Sequence, residues 1–128
     1  MKLLLDTHAL LWWMHEPEKL SGAALEAISD GDNQVFVSAV SAMEIATKQR
    51  INRLDYTTPM AENFAPIMHD MGFVPLSVDC AHAARAGGLA GSHRDPWDRL
   101  LAAQAQIEDL ALVTVDPKLT QWLTNTVW

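Results

Sequence analysis

Acidic residues stand directly after three short hydrophobic runs of this chain, at Asp6, Asp79 and Asp116. Carboxylates that converge on one pocket repel each other, which raises their pKa values unless a cation neutralises them. Their hard oxygen ligands suit Mg²⁺ or Mn²⁺, and Mg²⁺ in particular shares its coordination with substrate phosphates. If such acids meet in the fold, the chemistry we expect is hydrolysis by a metal-activated water.

Helix capping is the simpler explanation of each acid taken alone. Aspartate is a preferred N-cap residue, and Asp6 and Asp116 both precede segments with helical patterns. Asp95 is followed by Pro96, which suits the first helical turn, so capping is favoured over metal binding for Asp95. Asp98 lies three residues after Asp95, the spacing of a capping box. Capping does not explain why so many acidic helix starts would collect at one edge of a sheet.

The meaning of Glu44 depends on where its helix begins. A start at Ser41 gives the spacing of a capping box. A start at Ser38 puts Glu44 well inside a mostly apolar segment, residues 39–46, where an unpaired buried carboxylate is costly. Lys48, one turn further on, could then pair with it, or a metal ion could. Both partners stay open at the level of sequence.

The sequence gives little support for a zinc site or for a nucleophilic side chain. The chain has one cysteine, Cys80, and five histidines without metal-ligand spacing, which disfavours a zinc site. We interpret His8 and His93 as residues at the edge of the acidic site and the other three histidines as ordinary core or surface residues. No serine–histidine or cysteine–histidine arrangement suggests a nucleophilic side chain.

Short apolar runs alternate with helical patterns along the chain. Strand character is found at residues 2–5, 34–37, 73–78 and 110–115, with a further edge strand at 126–128. Helical patterns occupy residues 8–14, 21–28, 38–50, 59–71, 79–89 and 93–105, and the segment 117–123 follows the last of the strands. This alternation predicts an α/β sandwich with a mainly parallel sheet, whose ligands bind beyond the carboxyl ends of the strands. No linker or repeat divides the sequence, so we expect a single domain over residues 1–128.

Composition and charge narrow the class of protein. With 128 residues, 49% of them hydrophobic, the chain can build a proper core. No segment has the features of a signal peptide or a membrane span, and a lone cysteine forms no internal disulfide, so we expect a soluble cytoplasmic protein. The net charge of -7 argues against binding nucleic acid by bulk electrostatics. It leaves open a nucleic acid substrate held by metal ions and a few local cations.

Four motifs in order resemble the PIN-domain ribonucleases, and most closely the VapC-type toxins of bacterial toxin–antitoxin pairs. They are LLLDTHALLWW (3–13), VSAVSAMEIATKQR (37–50), HRDPWDRLLAAQA (93–105) and LVTVD (112–116). The resemblance covers nearly the whole chain and implies a PIN-like three-layer sandwich with helices on both faces of the sheet. It also implies an endoribonuclease with an acidic Mg²⁺ or Mn²⁺ site, a cognate antitoxin partner and a homodimer. No association with membranes is expected, because the longest apolar runs are too short to cross a bilayer.

The resemblance also assigns site residues. The four acids of the family's site fall on Asp6, Glu44, Asp98 and Asp116. A hydroxyl residue before the fourth acid falls on Thr114, which could orient a water or a carboxylate. Asp95 belongs to an RDP sequence common in this subgroup, and we rank it below the four other acids as a ligand. At His8 the wider family commonly has a small polar residue, so the role of His8 stays open.

Basic and aromatic residues near these acids are candidates for RNA contacts. Arg94 and Arg99 flank the third motif, and Lys48 belongs to the densest basic run of the chain. These three could hold phosphates outside the metal site, or could simply form ion pairs or a solvated helix end. The aromatic candidates for base stacking are Trp12, Trp13 and Trp97, for which packing in the core or a dimer interface is favoured.

Two other functions compete with the nuclease. A phosphatase of the haloacid-dehalogenase type needs a second aspartate where this chain has His8, which disfavours it. The main alternative is a catalytically inactive PIN-like binding module whose acids only cap helices.

Overall fold

A computed structural model describes residues 1–54 and 62–128 of the chain. In this part of the chain five strands form one sheet: β1 (Lys2–Leu5), β2 (Gln34–Ser38), β3 (Val74–Leu76), β4 (Ala111–Val113) and β5 (Thr126–Val127). The helices are α1 (Thr7–His15), α2 (Gly22–Ser29), α3 (Ala39–Arg50), α4 (Phe64–Asp70), α5 (Cys80–Gly88), α6 (Pro96–Ile107) and α7 (Pro117–Thr120), with a 3-10 turn at Pro17–Lys19. The predicted alternation of strands and helices is confirmed.

All neighbouring strands pair in parallel, in the order β3-β2-β1-β4-β5. The central strand β1 carries Leu3, Leu4 and Leu5, none of which is exposed, as expected of a strand covered on both faces. The predicted edge strand at the end of the chain is confirmed as β5. On the opposite edge, β3 contains Pro75, which an edge strand tolerates because one side of its backbone is unpaired.

Helices cover both faces of the sheet. Successive side chains of a strand point to opposite faces. Leu3 and Leu5 accordingly belong to a core formed with α1, α2, α3 and α4, while Leu4 belongs to a second core formed mainly with α6 and α7. The three-layer PIN-like α/β sandwich expected from the sequence is therefore confirmed.

The order of the strands fixes where a ligand site is expected. The chain builds β1, β2 and β3 outward in one direction and then returns to place β4 on the other side of β1. The order therefore reverses between β1 and β4, and the crevice beyond the carboxyl ends of these two strands is the expected site. The backbone N–H of Asp6 donates to the carbonyl of Val113 at 3.1 Å, so the two strands stay in contact up to this crevice.

Helix α4 is shorter than its sequence pattern suggested. It begins at Phe64, and the first three residues of the predicted helical segment, 59–61, lie outside the described residues. Helix α7 covers Pro117–Thr120, the first part of the segment that follows the last predicted strand. Within the described ranges, no helix combines the length and the apolar character needed to cross a bilayer.

Candidate active site

A cavity of about 150 Å³ opens at the carboxyl ends of β1 and β4. Acids from four parts of the chain line it: Asp6, Glu44, Asp95, Asp98 and Asp116. The other polar lining residues are Thr7, His8, Lys48, His93 and Lys118. The structure thus brings together residues that are up to about a hundred positions apart in the sequence, at the place where the strand order reverses.

Asp6 is both a helix cap and a buried site acid. Its Oδ1 accepts a hydrogen bond from the backbone N–H of Ala9 at 2.7 Å, which confirms the predicted N-cap of α1. The side chain is nearly inaccessible to water, and this burial raises the pKa of Asp6 to about 6. Hydrogen bonds from Thr114 and Ala9 oppose this rise in the pKa, and the charge of Asp98 adds to it. Helix capping therefore leaves the burial and the raised pKa of this carboxylate unexplained.

Thr114 lies between two site acids. Its hydroxyl is hydrogen-bonded to the carboxylate of Asp6, and its Oγ1 accepts the backbone N–H of Asp116 at 3.1 Å. Because that N–H is the donor to the threonine oxygen, the single hydroxyl proton is available for the carboxylate. Thr114 is buried directly after β4, and its hydrogen bond lowers the pKa of Asp6.

Helix α3 begins after Ser38, not at Ser41. The hydroxyl of Ser38 accepts the N–H of Val40 at 3.0 Å, whereas the Ser41 hydroxyl lies 2.9 Å from that of Thr7. The capping box considered for Ser41 is therefore wrong, because strand β2 continues to Ser38 and the helix starts there. The contact of Thr7, which lines the cavity, with Ser41 instead ties α1 to α3.

Glu44 consequently lies inside α3, where it is buried. Its Oε2 is 2.6 Å from Nζ of Lys48, one helical turn further on. The ion pair that the sequence left open is thus present, and its ammonium group supplies the cation that a buried carboxylate needs. Glu44 and Lys48 both line the cavity, so this ion pair is part of its wall.

Asp95 and Asp98 have different hydrogen-bond partners at the start of α6. The Oδ1 of Asp95 accepts the N–H groups of Trp97 and Asp98, at 2.9 and 3.2 Å, which confirms Asp95 as the N-cap of α6. Asp98 instead accepts a hydrogen bond from Nε2 of His93 at 2.7 Å. Partial burial raises the pKa of Asp98, with the charges of Asp95 and Asp116 adding to the effect and His93 opposing it. Asp98 therefore belongs to the site and not to the cap.

Asp116 caps the last helix at the edge of the cavity. Its Oδ1 accepts the N–H of Lys118 at 2.9 Å, with Pro117 in the first helical position, as the sequence predicted. Lys118 is a cavity residue that sequence reasoning missed. Its position two residues after a candidate site acid was the available signal.

The basic residues proposed to contact RNA lie in three different surroundings. Lys48 lines the cavity, whereas Arg94 is an exposed residue of the segment before α6 and is not part of the lining. Arg99 is also outside the lining, and its guanidinium donates to backbone carbonyls, among them those of Leu89 and His93. In this structure Arg99 therefore holds a loop, whereas the sequence left a phosphate contact and an ion pair open for it.

Of the aromatic residues, Trp12 and Trp13 pack against the core on the side of α1, and Trp97 packs against the core on the side of α6, as the packing interpretation expected. Trp12 also contacts His8, with ring centroids 5.7 Å apart. His8 is exposed and lines the cavity, which agrees with its expected position at the edge of the site.

A second group of potential metal ligands consists of Asp79, His82 and Glu108. Nδ1 of His82 accepts the backbone N–H of Asp79 at 3.0 Å, so the ring proton is on Nε2, which lies 2.9 Å from Glu108 Oε1. The same histidine completes a capping box with Asp79 at the start of α5. Both ring nitrogens are therefore engaged with the protein, and this buried histidine is a structural residue, as the sequence analysis assumed.

The comparison with known families agrees with this arrangement. The family model of the PIN domain matches residues 3–121. The chain belongs to the PIN domain family. One relative of this PIN domain, ribonuclease VapC22 of Mycobacterium tuberculosis, is 34% identical over 120 residues, which cover 91% of this chain and 88% of that protein. The resemblance identified from the four sequence motifs is confirmed.

Solved structures share the fold of this PIN domain. A toxin-antitoxin complex from Klebsiella pneumoniae matches with a TM-score of 0.67 at 19% identity, covering 98% of this chain and 96% of the other. VapBC2 from Rickettsia felis, solved with a DNA fragment from its promoter, matches with a TM-score of 0.63 at 14% identity and the same coverage. Identities this low establish a common architecture and leave the activity to be argued from the site.

The donor set of the cavity fits a hard divalent cation. Five carboxylates, the ligand type that Mg²⁺ and Mn²⁺ prefer, line it together with the imidazoles of His8 and His93, and no thiol lines it. The pKa values of Asp6 and Asp98 are both raised, and in each case another site acid contributes to the rise. A divalent cation would relieve this repulsion, which the ion pair of Glu44 with Lys48 does not do for the other acids.

Proposed function

We propose that this PIN domain is a metal-dependent endoribonuclease and the toxin of a toxin–antitoxin pair. The observation that carries the proposal is the convergence of Asp6, Glu44, Asp98 and Asp116 in one cavity at the point where the strand order reverses. Its support from relatives is that a protein 34% identical to this chain is named a ribonuclease, and that the structural neighbours are toxin–antitoxin complexes.

Asp6 and Asp98 are the proposed ligands of the principal Mg²⁺ or Mn²⁺ ion, and Glu44 and Asp116 reach it directly or through water. When bound, the ion would supply the Lewis acidity that activates a water molecule and offsets the negative charge developing on the scissile phosphate. Thr114 holds the carboxylate of Asp6 in place, and Asp95 contributes by fixing the start of α6 next to Asp98.

Binding of RNA to an acidic protein requires local cations. Lys48 and Lys118 both line the cavity, and we propose that they contact phosphates on either side of the cleaved bond. Lys48 is already paired with Glu44, so its contact with a phosphate would be shared with that carboxylate. With few such cations, affinity for RNA would depend only moderately on salt.

The inactive binding module explains less of the structure. Capping accounts for Asp6, Asp95 and Asp116, each of which accepts a backbone N–H at a helix start. It does not account for Glu44, which lies inside α3, or for Asp98, whose carboxylate faces His93 and the cavity. The nuclease explains why these two acids occupy the same cavity as the three caps.

The test is metal-dependent cleavage of single-stranded RNA by the purified protein. We expect cleavage with Mg²⁺ or Mn²⁺, none with EDTA, and a loss in Asp98→Asn greater than the roughly 10- to 100-fold loss typical of an outer hydrogen-bond partner. Asp79→Asn is the matched control, because it makes the same change at a helix cap outside the cavity. Full activity of Asp98→Asn would refute the proposed site and favour the inactive module.

The proposed partners have separate tests. We expect a small antitoxin encoded next to this gene to co-purify with the protein and to suppress RNA cleavage in the same assay. We also propose a homodimer, to be measured by light scattering at micromolar concentration. Growth arrest on expression, relieved by the neighbouring gene product, would support the toxin function independently of the in vitro cleavage.

A further inference from the structure

The first part of the loop between α5 and α6, residues 89–93, is folded around the guanidinium of Arg99. Nε of Arg99 donates to the carbonyl of His93 at 2.6 Å, Nη1 to those of Ala86 and Leu89 at 3.0 and 2.8 Å, and Nη2 to that of Gly91 at 3.0 Å. A guanidinium has five N–H groups in a rigid planar fork. Four hydrogen bonds to carbonyls therefore make Arg99 a brace that fixes the path of the loop.

Trp122 holds the same loop from the other side. Its indole Nε1 donates to the carbonyl of Ala90 at 2.7 Å, and its ring lies 5.2 Å from Cζ of Arg99. The imidazole of His93 stacks on the same indole, with ring centroids 5.7 Å apart and an interplanar angle of 26°. The position of the His93 ring is thus fixed by Trp122 at its face and by Arg99 at its backbone.

This arrangement places the Nε2–H group of His93 at the acidic site. Nε2 of His93 donates to Oδ2 of Asp98 at 2.7 Å, and both side chains are mostly buried. A carboxylate on the first turn of a helix has several accessible rotamers, and a metal ligand functions best when a hydrogen bond selects one of them. The imidazole of His93 holds one carboxylate oxygen of Asp98, which leaves the other oxygen to bind a cation.

We propose that His93 is a positioning residue that orients Asp98 for the metal ion, and that Arg99 and Trp122 act through the 89–93 loop to hold His93 in place. The proposal rests on the metal-dependent activity proposed above. It gives Arg99 a part in the reaction that involves no contact with RNA. Loss of the hydrogen bond should weaken metal binding by roughly 10- to 100-fold, the range found for outer partners of metal ligands.

Two substitutions of His93 separate its hydrogen bond from its packing. His93→Phe keeps an aromatic ring on Trp122 but has no donor for Asp98, whereas His93→Gln keeps a side-chain N–H of similar reach. We expect His93→Phe to weaken Mn²⁺ binding, measured by calorimetry, by roughly 10- to 100-fold and to lower kcat for RNA cleavage. We expect His93→Gln to stay much closer to the wild type, while urea unfolding in EDTA shows both variants folded.

The outcomes distinguish this proposal from the one on which it rests. If His93→Phe binds Mn²⁺ as tightly as the wild type while Asp98→Asn does not, the positioning role is refuted and the metal site stands. If the wild type neither binds Mn²⁺ nor cleaves RNA, both proposals are refuted. Equal losses in His93→Phe and His93→Gln would show that packing matters and the hydrogen bond does not, which also overturns the proposal.

Arg99→Lys tests the brace. Lysine keeps the positive charge but cannot bridge four carbonyls, so a phosphate contact would largely survive the change and a loop brace would not. Because Arg99 is proposed to act through His93, the double variant Arg99→Lys/His93→Phe should bind Mn²⁺ about as weakly as His93→Phe alone. If the two substitutions weaken Mn²⁺ binding independently, so that their fold-losses multiply in the double variant, the proposal that Arg99 acts through His93 is refuted.

Discussion

Substitution of Asp6 by asparagine is expected to stabilise the metal-free protein while abolishing its activity. Burial raises the pKa of Asp6 from 3.8 to about 6, so ionising this carboxylate costs more free energy in the folded state than in the unfolded chain. Asparagine is always neutral and still accepts the N–H of Ala9 as a helix cap. The variant therefore avoids the cost of burying an ionised carboxylate and keeps the start of α1.

The size and pH dependence of this effect follow from the pKa. In the range between 3.8 and about 6 the folded protein binds more protons at Asp6 than the unfolded chain, so the wild type loses stability as the pH rises through this range. The pKa difference corresponds to about 3 kcal/mol. We expect Asp6→Asn to be more stable than the wild type by up to about 3 kcal/mol at pH 7 to 8, and by much less at pH 4.

Metal binding should largely cancel this difference in stability. An ion at a hundred times its dissociation constant stabilises the folded state by about 2.7 kcal/mol, which is close to the cost of ionising Asp6. In saturating Mn²⁺ the wild type should therefore recover most of the difference, whereas Asp6→Asn should gain little.

Urea unfolding followed by tryptophan fluorescence, in EDTA and in Mn²⁺, measures both effects between pH 4 and pH 8. Asp79→Asn is the control, because Asp79 caps α5 with a side chain that is 60% exposed, and it should show no pH-dependent gain. A stability difference between wild type and Asp6→Asn that does not change with pH would refute the role assigned to burial of the Asp6 carboxylate.

Two further predictions concern the charged pairs of α3 and α5. Lys48→Met removes the cation 2.6 Å from buried Glu44, so we expect a loss of about 1–3 kcal/mol in EDTA that Mn²⁺ partly restores, as measured by urea unfolding. An equal loss with and without Mn²⁺ would contradict a place for Glu44 in the metal site. His82→Ala removes the buried partner of Asp79 and Glu108, so we expect a loss of about 1–3 kcal/mol with RNA cleavage per folded molecule and stabilisation by Mn²⁺ unchanged. Loss of Mn²⁺ stabilisation in this variant would identify that cluster as a metal site instead.

Helix starts were predictable because capping is local. Asp6, Asp95 and Asp116 each cap the helix that follows, as their positions before helical patterns indicated. The start of α3 was ambiguous, since Ser38 and Ser41 are both good N-cap residues. It was decided by strand β2, which pairs with its neighbours up to Ser38, and by the contact that draws the Ser41 hydroxyl to Thr7.

The partners of the charged side chains were much less predictable. The spacing of Glu44 and Lys48 on one helix was enough to suggest their ion pair, because residues four apart share a helix face. Nothing in the local sequence indicated that the guanidinium of Arg99 would be taken up by carbonyls of a loop that precedes it. The sequence left a phosphate contact and an ion pair both open for Arg99, and the structure places its guanidinium against carbonyls of the 89–93 loop.

The sequence by itself determined the alternation of strands and helices, the family, and the acids that could form a site. These features depend on hydrophobic periodicity, on capping and on motifs in order, all of which are written in short stretches of chain. Only the tertiary structure decided which acids share a cavity and which group each one faces. The carboxylate of Asp98 is hydrogen-bonded to His93, which precedes the start of α6. The carboxylate of Asp6 is hydrogen-bonded to Thr114, more than a hundred residues away in the sequence. Such contacts are set by the order of strands in the sheet and by the packing of α5 and α6, which no local pattern specifies.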